Sequence, residues 1–209
     1  MGLGITGLAN VLTLLKMPYG SEAAVRFTRK LMKLLMNESY SASALLAKEK
    51  GEFPAFNLGG VMSGGFFKKL APEVQELIKN HGLRNSHLIS IAPTGTISFT
   101  ADNISSGIEP VFALEYDRTY LAESGPQVVA MKDYVWDRYN LKGETSAELD
   151  TDAHINMLLA CVPFVDSSIS KTINVGDKVV FEEFKDIYMK CWKGKAKGCT
   201  TFRPSGKRY

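Results

Sequence analysis

The chain has 209 residues, 45% hydrophobic and 22% charged, the make-up of a soluble globular domain with one sizeable core rather than of a disordered segment. Its formal charge of +3 arises from basic residues interspersed with acidic ones, so the clustered cationic face of a nucleic-acid binder is missing. No apolar run approaches the ~18 residues that span a bilayer, no signal-peptide layout opens the chain, and Cys161, Cys191 and Cys199 form no Cys-x-x-Cys pair, which excludes a membrane, secreted, zinc or disulfide-framework class and leaves a cytoplasmic reading without metal.

Gly2, Gly4 and Gly7 match the spacing of a dinucleotide fingerprint, and Met1-Gly2 with Thr6 fits a loose acylation pattern. The first needs a buried strand ahead of it and the second arises often by chance, so both are set aside. Leu8, Val11, Leu12 and Leu15 predict a short helix ended by Pro18-Tyr19-Gly20. Ser21 is the expected N-cap of a long helix from Ala23 to Lys48 with Val25, Leu31, Leu35, Leu45 and Leu46 inward and a bend permitted between Asn37 and Ser43. An irregular connection from Gly51 to Gly65 precedes a helix from Pro72 to Asn80. Leu88, Ile89, Ile91 and Ala92 read as a buried strand and Val111 to Tyr120 as another, followed by helices over Gln127 to Tyr139 and Asp152 to Val162. Thr145 and Glu148 have capping-box spacing. A short strand over Ile169 to Val175, a last helix with Phe181, Phe184, Tyr188, Cys191 and Trp192 as its apolar stripe, and a strand over Cys199 to Phe202 complete one α/β unit without repeats or linkers. The basic stretches Lys190 to Lys197 and Arg203 to Arg208 read as a solvated face.

Pro93, Thr94, Gly95, Thr96, Ile97 and Ser98 place a residue without Cβ and three hydroxyls at the exit of a buried strand. Such a loop can hold a phosphate through backbone N–H groups, Gly95 supplying unusual φ values and Thr94, Thr96 and Ser98 one donor each. Hydroxyl-rich turns without a ligand have the same composition, so spacing alone leaves both readings open. The Walker pattern is absent.

Ser90 to Ser98, continuing through Asn103 to Val111, resembles the substrate-phosphate loop and following segment of adenosylcobalamin-dependent ribonucleotide reductases. Gly2-Leu3-Gly4 through Gly7-Leu8-Ala9, Phe164 to Asn174, and Gly198 to Pro204 agree in order and spacing, so the similarity runs essentially from end to end. The resemblance implies a ten-stranded α/β barrel of which residues 1–209 supply the second half, with Pro93 to Ser98 binding the phosphates of a ribonucleotide. It implies Asp166 to Asn174 as framework, and for Glu109 either an acid–base role or a part in shaping the turn before Pro110. The family's Asn-x-Cys-x-Glu radical loop, its redox cysteine pair and its Arg-Arg pair have no counterpart here, so no catalytic residue is expected in this chain. A complementary N-terminal chain would bring the radical cysteine and most adenosylcobalamin contacts, with a dithiol as reductant; a non-catalytic phosphate-binding module and the corresponding part of a metal-radical reductase are the competing readings, and Gly107-Ile108-Glu109-Pro110-Val111 favours cobalamin over the latter.

Overall fold

The computed structural model describes residues 2–123, 125–176 and 179–203; Pro204 and the basic residues 207 and 208 lie outside them. Helix α1 (Leu8–Leu14) leads into α2 (Glu22–Lys50), whose first turn is closed by the Ser21 side chain accepting from the N–H of Ala24. No bend interrupts α2. Its polar middle packs inward instead: Asn37 Oδ1 accepts from the N–H of Ala71 at 2.8 Å, and Ser43 Oγ lies 3.1 Å from Asn85 Oδ1. The buried line of α2 is Ala24, Thr28, Met32, Met36, Tyr40, Ala44 and Ala47, while Leu45 and Leu46 face outward. This line packs against α4 (Pro72–His81) and α6 (Thr151–Cys161).

The connection from 51 to 65 contains a helix, α3 (Leu58–Ser63), capped by Asn57. A strand begins at β1 (Glu115–Ala122) rather than at Val111, and it pairs antiparallel with β2 (Gly125–Lys132). The helix expected from Gln127 is therefore a strand up to Lys132, and only α5 (Tyr134–Tyr139) is helical. Gly125 takes φ 103° at the hairpin turn, and Val128-Val129 are β-formers; the apolar spacing that suggested a helix is that of an exposed ribbon. Thr145 and Glu148 do bond each other, but across a turn: α6 begins later, capped by Asp150. In α7 (Phe181–Lys193) the buried residues are Ile187 and Cys191, whereas Phe181 and Trp192 stand outside the stripe and are exposed.

Four extended segments run side by side and parallel. Leu3 bridges Ile89, Ile91 bridges Ile169, and β3 (Thr172–Asn174) pairs with β4 (Thr200–Phe202). The bonds from the N–H of Ser90 to Leu3 O at 2.9 Å and of Ser170 to Ile91 O at 2.8 Å hold the row together. One apolar cluster lies under this row between α1, α2, α4 and α6, and a smaller one joins α6, β3 and α7. The observed architecture is mixed α and β; among the described residues the ladders are two short pairs and single bridges, and no barrel closes within the chain.

Candidate functional site

The segment from Leu88 to Ile91 delivers Pro93 to the rim of the parallel row. Thr94 follows with a left-handed φ of 51°, costly for a residue with a Cβ, and its side chain helps to hold that conformation. Its Oγ1 accepts from the N–H of Gly107 at 2.6 Å and lies 3.0 Å from Thr6 Oγ1, which donates to Ser105 O. Gly107 has φ 54°, and a Cβ on it would stand 2.9 Å from Ala92 O, so glycine is required for this clasp. Ser98 is buried, its N–H bonding Thr94 O at 2.9 Å and its Oγ donating to Gly95 O at 3.1 Å. Residues Ile97–Ala101 then form a 3-10 turn.

Two of the three hydroxyls expected to reach a ligand, Thr94 and Ser98, are thus engaged in shaping the loop. The unusual φ falls on Thr94, not on Gly95. The exposed Thr96 hydroxyl and the backbone N–H groups of Gly95, Thr96 and Ile97 have no partner among the described residues. Consecutive N–H groups left over where a helical turn starts carry partial positive charge and suit an anion.

Beside them opens a cavity of about 480 Å³, walled by Gly95, Ser98 and Phe99, by Glu109 and the hairpin, and by Asn174 and Phe202. Asn103 anchors the hairpin over the loop, donating to Lys132 O at 2.8 Å and accepting from the Tyr116 hydroxyl at 3.0 Å. Buried Asn10 accepts from the N–H of Ser105 at 2.5 Å and donates to Asp133 Oδ2 at 2.8 Å, tying α1 to the start of α5.

Glu109 joins the cavity to a buried cluster. Its carboxylate accepts from Lys171 Nζ at 2.5 Å and from the N–H of Thr172 at 2.6 Å, fixing the turn before Pro110 to β3. The Lys171 side chain is fully buried, and Nζ also lies 2.9 Å from His154 Nδ1 and donates to Thr172 O at 2.5 Å. Burial pulls the lysine below its ordinary pKa, and the charge and hydrogen bond of Glu109 oppose that. Burial, with the Lys171 charge next, lowers His154 to about 4. Asp166 acts as framework: it accepts from the Tyr40 hydroxyl at 2.7 Å and from the N–H groups of Leu88 at 2.7 Å and Ile89 at 2.9 Å. Burial works against its ionisation, yet these bonds outweigh it and hold the carboxyl below its usual value.

Cys161 and Cys191 are buried, and desolvation pushes each thiol up to about 12, the opposite of a reactive thiolate. Lys197 is more than a solvated charge, since Nζ donates to Asp166 O and Ser167 O, and Lys190 pairs with Asp152. Among the described residues no group of His, Cys, Asp and Glu could hold a metal ion, and no helix is long and apolar enough to cross a membrane. The cavity volume falls in the range of small-molecule sites. Sequence reasoning missed Lys171 and also Arg118, which lines the cavity. The lysine sits inside a segment read as framework, and the arginine alternates with aromatic residues in a strand, which by itself distinguishes no ligand contact.

The family model for the ribonucleotide reductase barrel domain matches residues 1–202. A vitamin B12-dependent ribonucleoside-diphosphate reductase of Mycobacterium tuberculosis is 32% identical over 230 residues, covering 97% of this chain and 31% of the relative. One of Thermoplasma acidophilum is 32% identical over 99% of this chain and 28% of its own length. The ribonucleoside-diphosphate reductase subunit alpha of Mycoplasma pneumoniae is 26% identical over 96% of this chain and 32% of its own. The chain spans about a third of the length of these curated relatives.

Proposed function

Because the chain belongs to the ribonucleotide reductase barrel family, we propose that it forms the substrate-phosphate-binding part of a reductase that converts ribonucleotides to deoxyribonucleotides. The observation that carries the reading is the run of unpartnered N–H groups at Gly95, Thr96 and Ile97 on the rim of a nucleotide-sized cavity. In this reading Pro93 to Ser98 grip the phosphates through those N–H groups and the Thr96 hydroxyl, while Thr94 and Ser98 keep the loop open. In the same reading the four segments of the parallel row from Leu3 to Phe202 belong to the second half of a ten-stranded barrel and supply most of it, with residues 1–209 as one unit. A complementary polypeptide supplies the other half, the radical cysteine and most contacts to adenosylcobalamin, a dithiol regenerates the enzyme, and this chain turns nothing over alone. Cys161 and Cys191 are buried and stand outside the cavity wall, which supports that division of labour. Both 32% relatives are named as B12-dependent, which supports cobalamin over a metal-radical subunit. A soluble, cytoplasmic setting fits this chemistry.

Gly95→Val tests the loop: a Cβ at Gly95 meets nothing within 4 Å, and circular dichroism checks that the variant keeps its fold. Binding of a ribonucleoside diphosphate should weaken at least about tenfold, the equivalent of one charge-assisted hydrogen bond. Unchanged affinity in the folded variant overturns the assignment. With the complementary chain, adenosylcobalamin, a dithiol and a ribonucleotide, deoxyribonucleotide should form; a verified complex without turnover selects a non-catalytic phosphate-binding module instead.

A further inference from the structure

The phosphate loop carries no lysine or arginine, yet a polyphosphate held by N–H groups alone would enter a cavity with carboxylates in its wall. Among the described lining residues the charged ones are Glu109, Arg118 and Asp133. Glu109 is balanced by Lys171 behind it at 2.5 Å. Asp133 is buried and bonded to Asn10 and to the N–H groups of Val135 and Trp136 at the start of α5. Arg118 is different. No carboxylate pairs with it and no hydrogen bond engages it among the described residues; its guanidinium lies over the Phe99 ring, 3.7 Å from the centroid. Phe99 belongs to the same 3-10 turn that begins with the free N–H of Ile97, and alternation along β1 sets Arg118 on the side of Tyr116, another cavity residue. The ring therefore parks an unpaired planar cation, with its fork of donors, against the cavity.

We propose that Arg118 is a specificity-determining residue of this cavity, pairing with the terminal phosphate of a nucleoside diphosphate whose other phosphate is held by the N–H groups of residues 95 to 97. The inference rests on the nucleotide reading above and adds the charge that the loop lacks.

Calorimetric titration of the chain with ADP and AMP tests it. Arg118→Gln should weaken ADP by roughly 10- to 100-fold and AMP much less, collapsing the preference for the diphosphate. Arg118→Lys, which keeps the charge but not the fork, should fall between, and ADP binding to Arg118→Gln should depend less steeply on salt. Circular dichroism should be unchanged, as the side chain makes no ion pair. A folded Arg118→Gln chain that keeps the wild-type ADP-to-AMP ratio, while Gly95→Val loses ADP, overturns the Arg118 assignment and leaves the loop standing. A wild-type chain that binds neither nucleotide, alone or joined by its complementary chain, overturns the nucleotide reading and this inference with it.

Discussion

Glu109→Gln removes one charge from the buried pair and leaves its shape. Lys171 is 1% exposed and cannot regain water, so its ammonium loses the carboxylate 2.5 Å away while staying desolvated. Breaking a buried pair from one side costs about 3–5 kcal/mol. The Glu109 side chain is 24% exposed, which places the loss near the lower end, about 3 kcal/mol, or a melting temperature lower by roughly 6–12 °C for a chain of this size. The sign with pH follows from Lys171. Burial already holds its folded-state pKa below the ordinary 10.5, and without Glu109 that effect is less opposed. Below the folded value both states hold the proton and the deficit is complete. Between the variant's folded value and the wild type's higher one the folded variant has lost the proton while the folded wild type and both unfolded chains hold it, so the deficit shrinks as pH rises. Urea unfolding of wild type and variant at several alkaline and neutral pH values measures both effects. The double variant Glu109→Gln, Lys171→Met should recover much of the loss, because no buried charge remains. A Glu109→Gln chain within about 0.5 kcal/mol of wild type, or a deficit constant across pH, refutes the buried-pair argument.

His154, lowered to about 4 by burial and then by Lys171, should stay neutral at pH 5.5. The stability it protects is complete above its ordinary 6.5 and falls as pH drops towards 4, up to about 3 kcal/mol in all. Ring nitrogen shifts read this directly, and a protonated ring at pH 5.5 contradicts it. Gly20 has φ 81° and would place a Cβ 2.5 Å from Ala153 Cα and Cβ, where the turn before α2 meets α6. Gly20→Ala should cost about 2–4 kcal/mol from the backbone strain and the overpacking together; a denaturation midpoint equal to wild type would show that this contact yields freely.

The helix ends were legible because their chemistry is local: Ser21 caps, Pro72 starts and Gly51 stops a helix with neighbours in sequence alone. The inward face of α2 was not, since it is set by where α4 and α6 pack; Met32 and Met36 are buried there, and Leu45 and Leu46, expected inward, are exposed. The second strand of the exposed hairpin reads as a helix because Val128, Val129 and Met131 repeat without a buried face to fix the period, whereas most of β1 reads correctly as a strand. In the loop, position and composition pointed to an anion site, but which hydroxyls remain available depended on Thr6, Ser105 and Gly107, far away in sequence. The Glu109–Lys171 pair spans 62 positions, and no spacing rule connects them.

In the proposed site the N–H groups of Gly95, Thr96 and Ile97 grip phosphate. Amide resonances of the labelled chain, followed through a titration with a ribonucleoside diphosphate, test it most directly. These three should move the most, and saturably, with Gly107 responding through Thr94. Nucleotide binding that shifts other amides and leaves these three in place would rule out phosphate at this loop.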